Sequence, residues 1–408
     1  MSSLKYERRL LIMTYLLCIG MFTNLAVLKD PIDKGALIMG AVLILLTGTA
    51  HYVIRKFFPE GDKFLLIFSC VLAIIGIAVI YRLKPELAIK QLIWFVVGIT
   101  LYTLIVVLLP NLKSFEKYKY YYLAGVMLFM PMALLPSIGE EINGSRNWVK
   151  IAGFTFQPSE IGKIFLVLYL SAALCKYVDK KNIKEDFKQL IEPAAVVMGA
   201  LGCMVLQKDL GSALIFFGIS VTMLYIATSK LKYILTCLGL FAFGAITSYS
   251  LFGHVRKRVL IWRDVWKYAN DESYQIVQGL YGMSSGGFVG PGLGQGYPGF
   301  IPENQTDFIF ASMTEELGLV FGIGVMLLYF LLFYRGMRAA LSTSNNFSKL
   351  NAVGFSAMIA MQVLVIIGGV FAVIPLTGIT LPLISYGGTS MMTMFFALGI
   401  LQKISEEG

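Results

Sequence analysis

The chain has 408 residues, 57% of them apolar and only 14% charged, with a mean hydropathy of +0.74 and a formal net charge of +10. Soluble domains carry about 25% charged residues, so the composition excludes a soluble globular protein and describes an all-α polytopic membrane protein. Positive charge that would suggest nucleic acid in a soluble chain is read here by its distribution across the bilayer, and no nucleic-acid partner is expected.

The N-terminal stretch "KYERRLLIMTYLLCIGMFTNLAVL" starts like a signal peptide, basic and then apolar. It has no small-residue cleavage site and many apolar runs follow, which predicts a retained first span. At roughly 17–25 residues per crossing, about twelve spans are expected. They fall near 9–28, 35–54, 64–81, 87–109, 120–137, 159–178, 189–206, 209–228, 232–252, 317–335, 352–374 and 383–402. Prolines or short turns interrupt the fifth, seventh and twelfth. Each must be helical, because lipid leaves no partner for an open backbone.

Charge sets the direction. With the N-terminus inside, the inner segments hold most of the lysine and arginine, among them Arg8, Arg9, Arg55, Lys56, Lys180, Lys181, Arg335 and Arg338. The short outer loops hold few. Both termini are therefore expected in the cytoplasm, with a large extracytoplasmic loop, 253–316, between the ninth and tenth spans. Five cysteines lie in apolar runs and the two histidines stand apart, so neither a disulfide framework nor a zinc site is expected.

This orientation sends the unusual segments outward. The loop "EEINGSRNWVKIAGFTFQPSE" carries Arg146 and Trp148, which suit surface anchoring as well as binding. It runs into Glu160 and Lys163, which are spaced i, i+3 on one helical face. An interfacial glutamate with a snorkelling lysine is one reading. A lysine facing a wet cavity and binding phosphate oxygens is another. In "QKDLG", Asp209 fits a helix N-cap or a site residue. Trp262 and Trp266, beside Arg263 and Lys267, suggest a basic amphipathic helix on the outer leaflet. "SSGGFVGPGLGQGYPG" has seven glycines in sixteen residues, and without a preceding strand it reads as a loop over a cavity rather than a dinucleotide fingerprint.

The stretch "PENQTDFIFASMTEELG" holds four carboxylates ahead of an apolar run. Ser312 and Glu315 fit a capping box, which assigns Glu315 and Glu316 to the start of a helix. Glu303 reads as solvated. Asp307, set among Phe308, Ile309 and Phe310, could cap a short turn, but is also a plausible general base in a partly apolar outer cavity. No phosphate-binding loop of the G-x-x-x-x-G-K-[ST] type occurs. A reaction on this side needs a substrate that brings its own leaving group, and a lipid-linked pyrophosphate sugar fits.

The motifs "NGSRNWVKI", "FQPSEIGK", "DLGSAL", "YQIVQGLYGMSSGG", "PENQTDFIFA", "EELG" and "PLTGITLPLISYGGTS" occur in an order that resembles the SEDS family (RodA/FtsW/SpoVE) from about residue 64 to 403. The resemblance implies a ten-helix SEDS core over 64–408 and two extra N-terminal transmembrane helices over 1–63. It implies a peptidoglycan glycosyltransferase that polymerises lipid II and works with a class B penicillin-binding protein in the elongation or division machinery of the bacterial cytoplasmic membrane. By motif, Asp307 is the expected catalytic residue. Glu160, Lys163, Asp209, Trp148, Arg146, Arg256 and Arg258 are expected at the substrate site. In that reading Lys163 and outer-loop arginines stabilise the departing undecaprenyl pyrophosphate. No cofactor is evident; a divalent cation, Mg2+ or Mn2+, is an expectation without a dedicated site. Lys208 and Thr314 depart from a proline and a glycine usual in the family. A lipid II flippase or other transporter, and a non-catalytic scaffold for a transpeptidase, are the rival readings.

Overall fold

The computed structural model describes residues 2–142 and 144–407; Asn143, which opens the "NGSRNWVKI" motif, lies outside them. Among the described residues there are fourteen α-helices. Twelve lie where spans are predicted: α1 (Ser2–Val27), α2 (Lys34–Phe57), α3 (Phe64–Leu83), α4 (Pro85–Leu108), α5 (Lys119–Met132), α6 (Pro158–Leu174), α7 (Ile183–Leu206), α8 (Leu210–Thr228), α9 (Leu231–Leu251), α12 (Ile309–Ser342), α13 (Asn346–Val370) and α14 (Gly388–Glu407). The other two, α10 (Gly253–Arg263) and α11 (Tyr274–Gly286), lie within the long predicted loop. Nine of the fourteen are long and apolar enough to cross a membrane; α5, α6 and α14 are shorter or more polar than that standard. The chain is a multi-pass membrane protein.

The helix α3, "FLLIFSCVLAIIGIAVIYRL", is apolar on every side and is buried over nearly its whole length, as expected of a central helix. It packs against α1, α4, α12 and α14. Around it α14 lies on α4, while α13 bridges α12, α6 and α8. The helix α9 is the opposite case: only Tyr233 of it is buried, as suits a peripheral span facing lipid.

Two features were not expected from the sequence. The 139–156 region forms a three-stranded antiparallel sheet, β1 (Gly139–Ile142), β2 (Ser145–Ile151) and β3 (Phe154–Phe156), in the order β1-β2-β3. Along β2, Asn147 and Val149 point inward and alternate with less buried neighbours, and Gly153, at φ +85°, helps turn the chain into β3. The second feature is a break in α12. Gly318 takes φ 81° and ψ 166°, dividing a short N-terminal half, 309–317, from the long C-terminal half. The predicted tenth span coincides with the C-terminal half.

The connection between α13 and α14 is irregular although it is largely buried. Side chains from the bundle satisfy its backbone, as burial requires. Gln91 donates to Ser385 O (3.0 Å) and accepts from Gly387 N (3.1 Å). Gln362 donates to Thr380 O (2.9 Å).

Candidate active site

Asp307 sits in the turn that leads into α12. Glu303, at φ 52°, folds the chain back so that its carbonyl accepts from Thr306 N (3.1 Å) and Phe308 N (3.2 Å). Phe308 is fully buried and lies against Gly279 of α11, where a Cβ would come within 2.6 Å of its ring. The turn is tied to the α13–α14 connection by Ser385 Oγ donating to Thr306 O (2.7 Å) and Tyr386 N donating to Gln305 O (2.9 Å). The side chain of Asp307 is held by its neighbours rather than by partners of its own. It is half-buried, and among the described residues no donor reaches its carboxylate. Burial pushes its pKa up to about 7, nearby Glu303 adds to the rise, and Arg258 opposes it.

The remaining acids of the stretch are placed differently from the sequence reading. Glu303 is half-buried rather than solvated, and Thr306 Oγ1 donates to its carboxylate (3.0 Å). The capping box does not form. The helix starts at Ile309, so Ser312 lies inside it and donates back to Phe308 O (3.2 Å). Glu315 and Glu316 are buried and hold the glycine-rich loop: Glu315 accepts from Tyr297 N (2.9 Å), and Glu316 from Gly294 N (3.0 Å) and Arg82 Nε (3.1 Å). Helix start signals are local in sequence, whereas these partners lie at least eighteen residues away.

Arg258 of α10 is the cation in the field of Asp307 and of Asp209. It donates to Leu376 O (3.3 Å). A cavity of about 710 Å³ opens beside it, walled by apolar residues such as Leu174, Val197, Leu214, Phe217 and Phe241 and closed at Arg258's end by residues 374–377. Asp307 abuts the same segment: a Cβ on Gly378 would stand 3.5 Å from its Oδ2. A half-buried acid, a cation and an apolar channel thus meet along one stretch of backbone. Arg256 diverges from this grouping. It is exposed, donates to Ser250 O (3.0 Å) and lies over the Tyr249 ring.

Two residues here escaped the sequence reading. His254 Nε2 and Thr377 Oγ1 are buried without a hydrogen-bond partner among the described residues. His254 precedes Arg258 by one helical turn, and burial, Arg258 and Lys208 push its pKa down. The i, i+4 spacing of His254 and Arg258 was the available signal.

The other expected site residues form the frame. Asp209 caps α8, accepting from Ser212 N (3.0 Å), while Asn147 (3.0 Å) and Gln157 (3.1 Å) donate to its second oxygen. It thereby joins the sheet to α6 and α8. Arg146 pairs its backbone N–H with Gln207 O (3.0 Å), and Trp148 is half-buried on β2 opposite Glu140. Lys163, expected to clamp a leaving group, is held inside the bundle. Lys163 is 1% exposed and donates to Glu160 (2.8 Å) and Gln362 (2.7 Å). Thr393 occupies the other oxygen of Glu160 (3.2 Å). Through Gln362 this network reaches Thr380, so it shapes the connection that faces Asp307. Among the described residues no group of three or more His, Cys, Asp or Glu side chains converges as a metal site.

Residues 61–408 match the FtsW/RodA/SpoVE family, described as cell cycle proteins. The chain is 36% identical over 389 residues to the peptidoglycan glycosyltransferase RodA of Mycobacterium tuberculosis, covering 90% of this chain and 82% of that one. In fold it is similar to a chain from a peptidoglycan synthase complex that coordinates polymerization and crosslinking, with a TM-score of 0.72, 26% identity, and coverage of 85% of this chain and 98% of that chain. The Thermus thermophilus rod shape determining protein RodA is also similar, with a TM-score of 0.64 and 25% identity over 85% of this chain and 97% of that one.

Proposed function

The chain belongs to the FtsW/RodA/SpoVE family, and from that premise we propose that it is a peptidoglycan glycosyltransferase that polymerises lipid II at the outer face of the bacterial cytoplasmic membrane. The observation that carries the proposal is the placement of Asp307, a half-buried carboxylate without a donor, against the same 376–378 backbone that Arg258 bonds and that closes an apolar cavity. A pKa near neutrality suits a general base. In the proposed step Asp307 takes the proton of the acceptor's GlcNAc 4-hydroxyl. That oxygen bonds to the anomeric carbon of the donor chain's MurNAc, and the bond from that carbon to phosphate breaks. The electron pair leaves with undecaprenyl pyrophosphate.

Arg258 supplies positive charge where the leaving group develops negative charge. The cavity takes the polyprenyl chain from the bilayer, and Arg258 and Thr377 line the end where the headgroup would sit. Lys163, Glu160 and Asp209 act as positioning residues in this reading, and Arg146, Trp148 and Arg256 bind or guide the substrate from the outer surface. A divalent cation would arrive on the substrate's pyrophosphate rather than in a protein cage. Both termini are cytoplasmic, α1 and α2 are an addition to the core, and the partner is a class B penicillin-binding protein.

Purified full-length protein with its transpeptidase, given labelled lipid II in detergent, tests the proposal. Glycan strands from the parent and none from Asp307→Asn support it. Normal polymerisation by Asp307→Asn removes Asp307 as the base. Lipid II flipping in liposomes without strand synthesis would establish a transporter, and neither activity a scaffold.

A further inference from the structure

We infer that Asn24, near the outer end of α1, is a positioning residue for Asp307 that acts through the glycine-rich loop; the inference rests on the polymerase reading above. The break at Gly318 separates the N-terminal half of α12, which Asp307 precedes, from the rest of that helix. The glycine-rich loop repairs the break. Gly292 N donates to Glu316 O (2.9 Å), while Leu319 N and Val320 N donate to Gly287 O (2.9 Å) and Phe288 O (3.0 Å). The repair is backbone against backbone: a Cβ on Gly286 would strike Thr314 O, one on Gly290 would strike Glu316 O, and one on Gly318 would strike the Val289 carbonyl carbon, each at 2.4 Å or less. Arg82 then bridges the loop to the N-terminal half-helix, donating to Gly294 O and Gly296 O (3.3 Å each) as well as to Glu316.

The N-terminal helix pair closes this assembly from the far side. Asn24 Nδ2 donates to Leu293 O (3.0 Å). Leu28 presses on the loop so closely that a Cβ on Gly294 would lie 2.2 Å from its Cδ1. Asp33, between α1 and α2, accepts from Lys29 (2.7 Å) and from Tyr81 (2.8 Å), the residue before Arg82. Phe22, Leu25 and Leu43 are buried where α1 and α2 pack on α3 and α4, and apolar burial of this kind is non-directional. It does not explain an amide aimed at a loop carbonyl. A directional bond of that kind fixes register, and here the register is that of the loop that orients the half-helix behind Asp307.

The test uses full-length Asn24→Ala and Asn24→Gln, assayed for strand synthesis, with hydrogen exchange followed across residues 286–296. Loss of one such bond corresponds to about a fivefold effect. Asn24→Ala is expected to turn over about fivefold more slowly, with KM for lipid II within about twofold of the parent and an unfolding midpoint lowered only slightly, as for the loss of one bond. Exchange in the loop rises, and Asn24→Gln restores most of the turnover. Parental turnover in Asn24→Ala overturns the inference, and faster exchange with parental turnover also overturns it by making Asn24 an anchor only. A parent chain that makes no strands refutes the polymerase reading, and this inference with it, whatever exchange shows.

Discussion

Asp307 and Arg258 meet in a way that makes opposite predictions for activity and stability. A carboxylate whose folded pKa lies above its unfolded value favours the neutral form in the fold. Its contribution to stability is full below the unfolded value near 3.8 and is lost as pH rises through about 7. Asp307→Asn should therefore unfold no lower than the parent in mildly alkaline detergent solution, although it is inactive; a lower midpoint would show that the carboxylate stabilises the fold. Arg258 and Arg256 separate in the same manner. Arg258→Ala removes the charge beside the leaving group and should lower turnover about 100-fold. Arg256 lies away from the reacting group, bonded to Ser250 O and over the Tyr249 ring, so Arg256→Ala should keep kcat within about twofold and raise KM for lipid II instead. Rate measurements on the two variants distinguish them. The sequence showed both arginines as a pair; only the 3.6-residue turn of α10 reveals that they diverge.

At the scale of elements, the Glu160–Lys163–Gln362 network and the break at Gly318 hold the site's walls. Removing one partner of a buried ion pair costs about 3–5 kcal/mol, because the other charge stays buried. Lys163→Met should lower the unfolding midpoint more than the double variant Glu160→Leu/Lys163→Met does. If the single variant is the more stable of the two, the pair is not a coupled unit. Gly318→Ala is predicted to destabilise, since φ 81° with ψ 166° costs an L-residue about 1–3 kcal/mol and its Cβ has no room beside Val289; an unchanged midpoint would mean the break relaxes. Helical spans were legible in the sequence because lipid permits little else. The capping box was a false signal because S-x-x-E is common, and the real partners of Glu315 and Glu316 are long-range. The sheet over 139–156 was missed because its strands are short and its alternation is confined to Asn147 and Val149.

For the whole molecule, the fold gathers Asp307, Arg258, Asp209 and the glycine-rich loop at one end of the bundle, at the outer end under the proposed orientation. An accessibility tag within residues 290–300 should then be labelled from outside the cell, and labelling only from the cytoplasm would invert the orientation. Asp307 was legible as a candidate because an acid stood outside a helix amid aromatic residues, and the family resemblance singled it out. The channel beside it was not legible, since its walls come from α6, α7, α8, α9 and α10, and no single apolar stretch announces a shared void. The most direct test of the account is the initial rate of lipid II polymerisation by purified full-length protein across neutrality, parent and Asp307→Asn side by side. With Asp307 as the base, the parent rate rises with pH through about 7, and the variant rate is flat and at least about 100-fold lower; equal rates, or the same pH dependence in both, would rule Asp307 out as the base.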